Sequence, residues 1–111
     1  MNEIEGFLPL STPVLHILLA LGTDRLHGLG ILEAIAAKSQ GRAVILPGTL
    51  YVTLNRMVDD ELIVEADRPQ GADTRRKYYR TTDLGRQVVA AEMERMAVLM
   101  EVARQDLLPE G

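Results

Sequence analysis

Apolar residues recur along this chain with two different periods. Val14, Leu15, Ile17, Leu18, Leu19 and Leu21 crowd one segment behind Ser11-Thr12-Pro13. Thr12 is the expected N-cap, with Pro13 at the first helical position. This predicts a helix that is apolar on most sides and is stopped by Gly22. Leu29, Leu32, Ile35 and Ala36 lie at helical spacing, the apolar face of a second helix from about Gly28 to Lys38 that Gly41 ends. Val44-Ile45-Leu46 is an apolar run expected to form a small strand. Pro47-Gly48-Thr49 opens a third helix with Leu50, Leu54, Met57 and Val58 on its core face. Thr49, Val52, Thr53 and Arg56 point the other way. Asp59-Asp60-Glu61 closes it, an unusual place for acids given the helix dipole.

The period then changes. Leu62, Val64 and Ala66 alternate with Ile63, Glu65 and Asp67, as in a half-buried strand. Pro69 to Asp73 reads as a turn and Arg75 to Thr81 as the returning strand. Alternation puts Arg76, Tyr78 and Arg80 on one face and Lys77, Tyr79 and Thr81 on the other, with Tyr79 expected to be buried. Thr82 caps a last helix that runs to about Leu107, with Pro109 and Gly111 ending the chain. Along it Val89, Met93, Met96, Met100, Ala103 and Leu107 are spaced 4, 3, 4, 3 and 4. That is a heptad seam, flanked by Val88, Ala91, Leu99 and Val102. This helix carries more apolar surface than one small domain covers.

Composition narrows the function classes. The chain has 111 residues, no Cys and no Trp. Disulfides, thiolate metal sites and Cys nucleophiles are excluded, and a stacking platform for single strands is not expected. No apolar run approaches the roughly 18 residues a membrane span needs, and the acidic start, MNEIEGFL, is unlike a signal peptide, so a cytoplasmic protein is expected. The net charge is −4, yet residues 42–82 carry seven bases against six acids. Arg75, Arg76, Lys77 and Arg80 fall inside six residues, a basic spot on an acidic protein.

The order of elements, three helices and then a hairpin, predicts a mainly α fold with a small β hairpin: a winged helix-turn-helix. The expected organisation is a DNA-binding domain over residues 1–82 and a dimerisation helix over residues 83–111. In such a fold the third helix enters the major groove and the wing lies along phosphates. Thr49, Thr53 and Arg56 then face base edges, while Arg75, Arg76 and Lys77 are the expected phosphate clamp, with Arg80 beside them. Tyr51, on the boundary of the core face, is expected to offer its hydroxyl to a phosphate while its ring packs against the wing.

These residues resemble those of the PadR family of bacterial transcriptional regulators. The resemblance rests on Leu26-His27-Gly28, Pro47-Gly48-Thr49-Leu50-Tyr51, Leu54 through Arg56 and Leu62-Ile63. Arg75-Arg76-Lys77-Tyr78-Tyr79-Arg80, followed by Thr82 and Gly85-Arg86, completes it. It covers about residues 12–86 and implies a dimeric, ligand- or stress-responsive repressor that binds a palindrome near its own promoter. The single last helix is similar to that of the family's smaller subgroup. The chain departs from the family pattern at Leu29, Val52, Glu61 and Thr81. Glu61 stands where Gly is usual, at a turn that favours positive φ.

Other readings of the same residues stay open. A winged helix on an acidic protein can dock another protein instead of DNA. Val89, Met93, Met96, Met100, Ala103 and Leu107 read first as a dimer seam. Met93, Met96 and Met100 also suit a small apolar effector at the dimer interface, since Met repacks easily. His27 is expected to cap the second helix or touch a phosphate there, and His16 to be a core or interface residue. Two histidines without a thiolate make no metal site. There is no nucleophile–base pair, and Gly28-Leu29-Gly30 lacks the strand a dinucleotide fingerprint needs, so no enzyme and no cofactor are expected.

Overall fold

A computed structural model describes residues 3–107. A short 3-10 turn at Ile4–Phe7 leads into α1 (Thr12–Leu21), β1 (Leu26–His27), α2 (Gly28–Lys38) and α3 (Pro47–Asp59). There follow β2 (Ile63–Ala66), β3 (Tyr78–Thr81) and α4 (Asp83–Asp106). The fold is mainly helical, as the pattern predicted, with one small antiparallel sheet in the order β1-β3-β2. Among the described residues, no helix is long and apolar enough to cross a membrane. Pro109 and Gly111 lie outside the described residues.

The core sits where α1, α2 and α3 converge on the sheet and on the start of α4. Ile17, Leu21, Ile31, Leu50, Leu54, Met57, Leu62, Ile63 and Val88 are fully or almost fully buried there. Lys38 of α2 donates from Nζ to the carbonyl oxygens of Leu19 and Ala20 at 2.8 and 3.0 Å, closing the end of α1. The face that α2 buries is Gly28, Ile31 and Ile35, so Leu29 is exposed rather than turned inward. On α3, Leu50, Leu54 and Met57 are buried as expected, but Val58 is exposed at the rim.

Helix ends differ from expectation in instructive ways. Ser11, not Thr12, caps α1: its side chain accepts from the Val14 amide, and Thr12 already belongs to the helix. At the end of α2 it is Gln40 that first takes positive φ (55°), with the Gly41 amide bonded to Ala36. α3 closes in the same manner: Glu61 takes φ 62°, its amide donates to Val58, and the Leu62 amide donates to Met57. These are the paired bonds of a Schellman cap, in which the left-handed position favours Gly. Thr82 caps α4 by accepting from the Gly85 amide and also donates to the Glu61 carbonyl at 2.6 Å, joining the start of α4 to the end of α3.

The sheet corrects two expectations. Val44-Ile45-Leu46 forms no strand: Val44 and Leu46 are exposed, and both edges of β3 are already taken, by β2 and by Leu26–His27. The returning strand begins at Tyr78 rather than Arg75. Its last partners are Ala66 on one side and His27 on the other, so the chain before Tyr78 has nothing to pair with. Tyr79 is buried as expected, and Tyr78 is buried beside it. Leu62 and Ile63 are both buried, so alternation sets in only beyond them.

Candidate nucleic-acid interface

Three parts of the chain meet at one cleft of about 330 Å3: the start of α2, the outer side of α3 and the loop before β3. His27 and Gly28 form one wall, Tyr51 and Asn55 of α3 another, and Arg75, Arg76, Lys77 and Tyr79 close it. Five residues picked out in the sequence, His27, Tyr51, Arg75, Arg76 and Lys77, are thus brought together. Gly28 lets Tyr51 lie this close, because a Cβ there would sit 2.7 Å from the Tyr51 hydroxyl. The Tyr51 side chain rests on the first turn of α2 and is still about half exposed (54%), with its hydroxyl at the cleft.

The cations of the wing loop are not equivalent. Arg75 is held by Asp73, whose carboxylate accepts from its backbone amide, Nε and Nη2 at 2.9, 3.2 and 2.9 Å. Those bonds hold the Asp73 carboxyl below its usual range. Arg76, Lys77, Arg80 and Arg56 have no ion pair or hydrogen bond from their side chains among the described residues. The loop itself is braced: Arg25 donates to the Asp67 carbonyl and Arg68 to the Thr74 carbonyl, at 3.1 and 2.7 Å. Burial first, and then the nearby Glu65 and Tyr51, push the Tyr79 hydroxyl above its ordinary value. It therefore stays a neutral donor at the base of the cleft.

His27 stands at the N-cap position of α2 but makes no side-chain cap bond. Its ring lies 5.2 Å from that of Tyr78, tilted by 49°, and also against Gly30 in the first turn of α2, where a Cβ would meet its Nδ1 at 3.3 Å. His16 is half-buried in α1. Thr49, Thr53 and Arg56 lie along the outer face of α3, beside the cleft rather than in it. Arg80 is exposed on β3, opposite Val64, and does not line the cleft. Sequence reasoning passed over Asn55, one turn beyond Tyr51 on the same side. The i, i+4 spacing from Tyr51 was the available signal.

On α4, Val88 and Gly85 are buried against the rest of the fold, while Met93, Met100 and Leu107 of the heptad seam are exposed and Val89, Met96 and Ala103 are half-buried. Val98, Leu99 and Val102 are also exposed. One acid of this helix, Glu92, is fully buried and was not foreseen: it accepts from the Leu10 amide at 2.7 Å and from Arg95 Nε at 2.5 Å. Among the described residues, no group of three or more His, Asp or Glu is placed to hold a metal ion.

The arrangement is that of a winged helix with a free helix face, a basic wing and an uncovered apolar helix. Comparison with known proteins agrees. The family described as the transcriptional regulator PadR-like family matches residues 15–91. Transcriptional regulator Rv3488 of Mycobacterium tuberculosis is 36% identical over 93 residues, 84% of this chain and 80% of that protein. A PadR family regulator from Clostridium difficile R20291 has a similar structure, with a TM-score of 0.72 at 21% identity over 87% of this chain and 99% of the other. Bacillus subtilis PadR, solved in complex with operator DNA, matches with a TM-score of 0.65 at 21% identity over 93% of this chain and 53% of its own. This chain belongs to the PadR family of transcriptional regulators. It is a transcriptional regulator, not an enzyme.

Proposed function

We propose that this protein is a homodimeric repressor that binds a palindromic operator near its own promoter. The observation that carries this reading is the cleft. It joins the start of α2, Tyr51 of α3 and the cations of the wing loop beside a helix face that none of the other described residues covers. A phosphate at this cleft meets Arg76, Lys77 and the Tyr51 hydroxyl while Thr49, Thr53 and Arg56 lie in the adjacent major groove. Residues 1–82 then act as the reading unit and residues 83–111 as the dimerisation helix, closed through Val89, Met93, Met96, Met100, Ala103 and Leu107. The operator complex of the Bacillus subtilis relative supports the same partner here.

Release follows from the same geometry. α4 sets the spacing and tilt between two copies of α3. A small apolar effector seated among Met93, Met96 and Met100 that favours another tilt shifts the DNA equilibrium by its differential affinity for the two states.

The test is a gel shift with the duplex upstream of the protein's own gene, at two salt concentrations, with unrelated DNA as competitor. The expected result is a specific complex that weakens steeply with salt, because phosphate contacts release counterions. A folded dimer that shifts no duplex at low salt would transfer this surface to a protein partner.

A further inference from the structure

The outer face of α3 is more apolar than phosphate or polar base contacts require. Leu46, at the N-cap, is 68% exposed and Val52 is 67% exposed. Both line one surface groove with Gly48, Thr49 and Thr53. Positions 49, 52, 53 and 56 recur at helical spacing, so they form a single ridge. Thr53 looks polar in the sequence, but its Oγ1 donates to the Thr49 carbonyl at 2.7 Å. That bond commits the one polar atom of the side chain to the helix backbone and leaves the methyl as the group free to make contacts in the groove that Thr53 lines. The ridge therefore offers the Leu46 side chain, the Val52 side chain and the Thr53 methyl, with Arg56 following one turn on.

In the major groove the base edges present hydrogen-bond donors and acceptors with one apolar exception, the C5-methyl of thymine. We infer that Val52 and Thr53, with Leu46 at the rim, read thymine methyl groups, so that each half-site carries thymine under the first two turns of α3. This rests on the DNA-binding reading above and names the bases that reading leaves open. It is a property of this chain in particular, since Val52 is one of its departures from the family pattern.

The test uses the full chain and a duplex recovered by repeated selection from a randomised library. That duplex is synthesised twice, with thymidine or with deoxyuridine at every T, and affinities are read by fluorescence anisotropy at one salt concentration. Removing the methyl groups is expected to weaken binding about fourfold per contacted methyl, hence roughly sixteenfold when one is lost in each half-site. Val52→Ala narrows that gap. Thr53→Val preserves it, because the methyl remains. Thr53→Ser narrows it, because the hydroxyl remains and the methyl does not. Val52 is exposed and Thr53 is half-buried on the outer side of α3, so these small changes leave the core intact and the variants fold. Equal affinity for both duplexes, while each still outcompetes unrelated DNA, overturns the inference and leaves the DNA-binding reading standing. A selection that recovers no duplex overturns both.

Discussion

Glu61 shows how one residue carries both a departure and its cost. Its φ of 62° is a backbone conformation that side chains with a Cβ resist. Glu61→Gly is expected to stabilise the fold by about 1 kcal/mol, read as a higher urea midpoint at unchanged slope. The sequence announced this site, because an acid after a helix, where Gly is usual, is visible without coordinates. The inequality of the wing cations was not visible. Arg75 and Arg76 look alike in the chain, yet Arg75 is held by Asp73 two residues away and Arg76 is not. Arg76→Ala is accordingly expected to lower the salt slope of DNA binding by about 1 and to weaken all duplexes alike, and Arg75→Ala to do less. Affinities measured across a salt series separate the two.

Among the elements, α1 to α4 were legible because each repeats its apolar residues over several turns. β1 has two residues and no period, so only the partners of Tyr78 and Tyr79 define it. The wing strand was read too long because the basic run from Arg75 to Lys77 has no turn signal of its own, and only the pairing ends at Ala66 and His27 fix its start. Two glycines separate packing from function. A Cβ at Gly85 of α4 would meet the Leu62 carbonyl oxygen at 2.2 Å, a clash with backbone. Gly85→Ala is expected to cost about 3 kcal/mol. At Gly28 the clash is with the movable, half-exposed Tyr51 ring. Gly28→Ala should leave the thermal midpoint nearly unchanged and still weaken DNA binding, by displacing Tyr51 from the cleft.

Glu92 ties the N-terminal segment to α4 across 82 positions of sequence. It escaped sequence reading because an acid within a heptad helix reads as solvated. The hydrogen bond from Arg95, and less strongly that from the Leu10 amide, hold its carboxyl below the ordinary value of 4.5. A group depressed in the folded state stabilises above its unfolded pKa, and that contribution is lost as pH falls through the folded one. Stability should therefore decline below about pH 4.5. Glu92→Gln should unfold at a lower temperature at neutral pH and show a shallower acid decline, followed by circular dichroism.

At the scale of the whole molecule, the chain measures 53 × 36 × 24 Å, and α4 leaves Met93, Val98, Leu99, Met100, Val102 and Leu107 to solvent. The proposed dimer covers this stripe. Met96→Asp with Met100→Asp is expected to give a folded monomer by light scattering. A monomer engages one half-site, so its specific affinity falls about 100-fold or more.

Two-fold symmetry makes the central claim measurable in one experiment, a hydroxyl-radical footprint of the protein on the duplex upstream of its own gene. Two symmetric protected patches on one side of the duplex are expected, centred about 34 Å apart or a multiple of it, as two copies of α3 joined through α4 require. A single patch, or uniform protection without a centre of symmetry, would contradict the account.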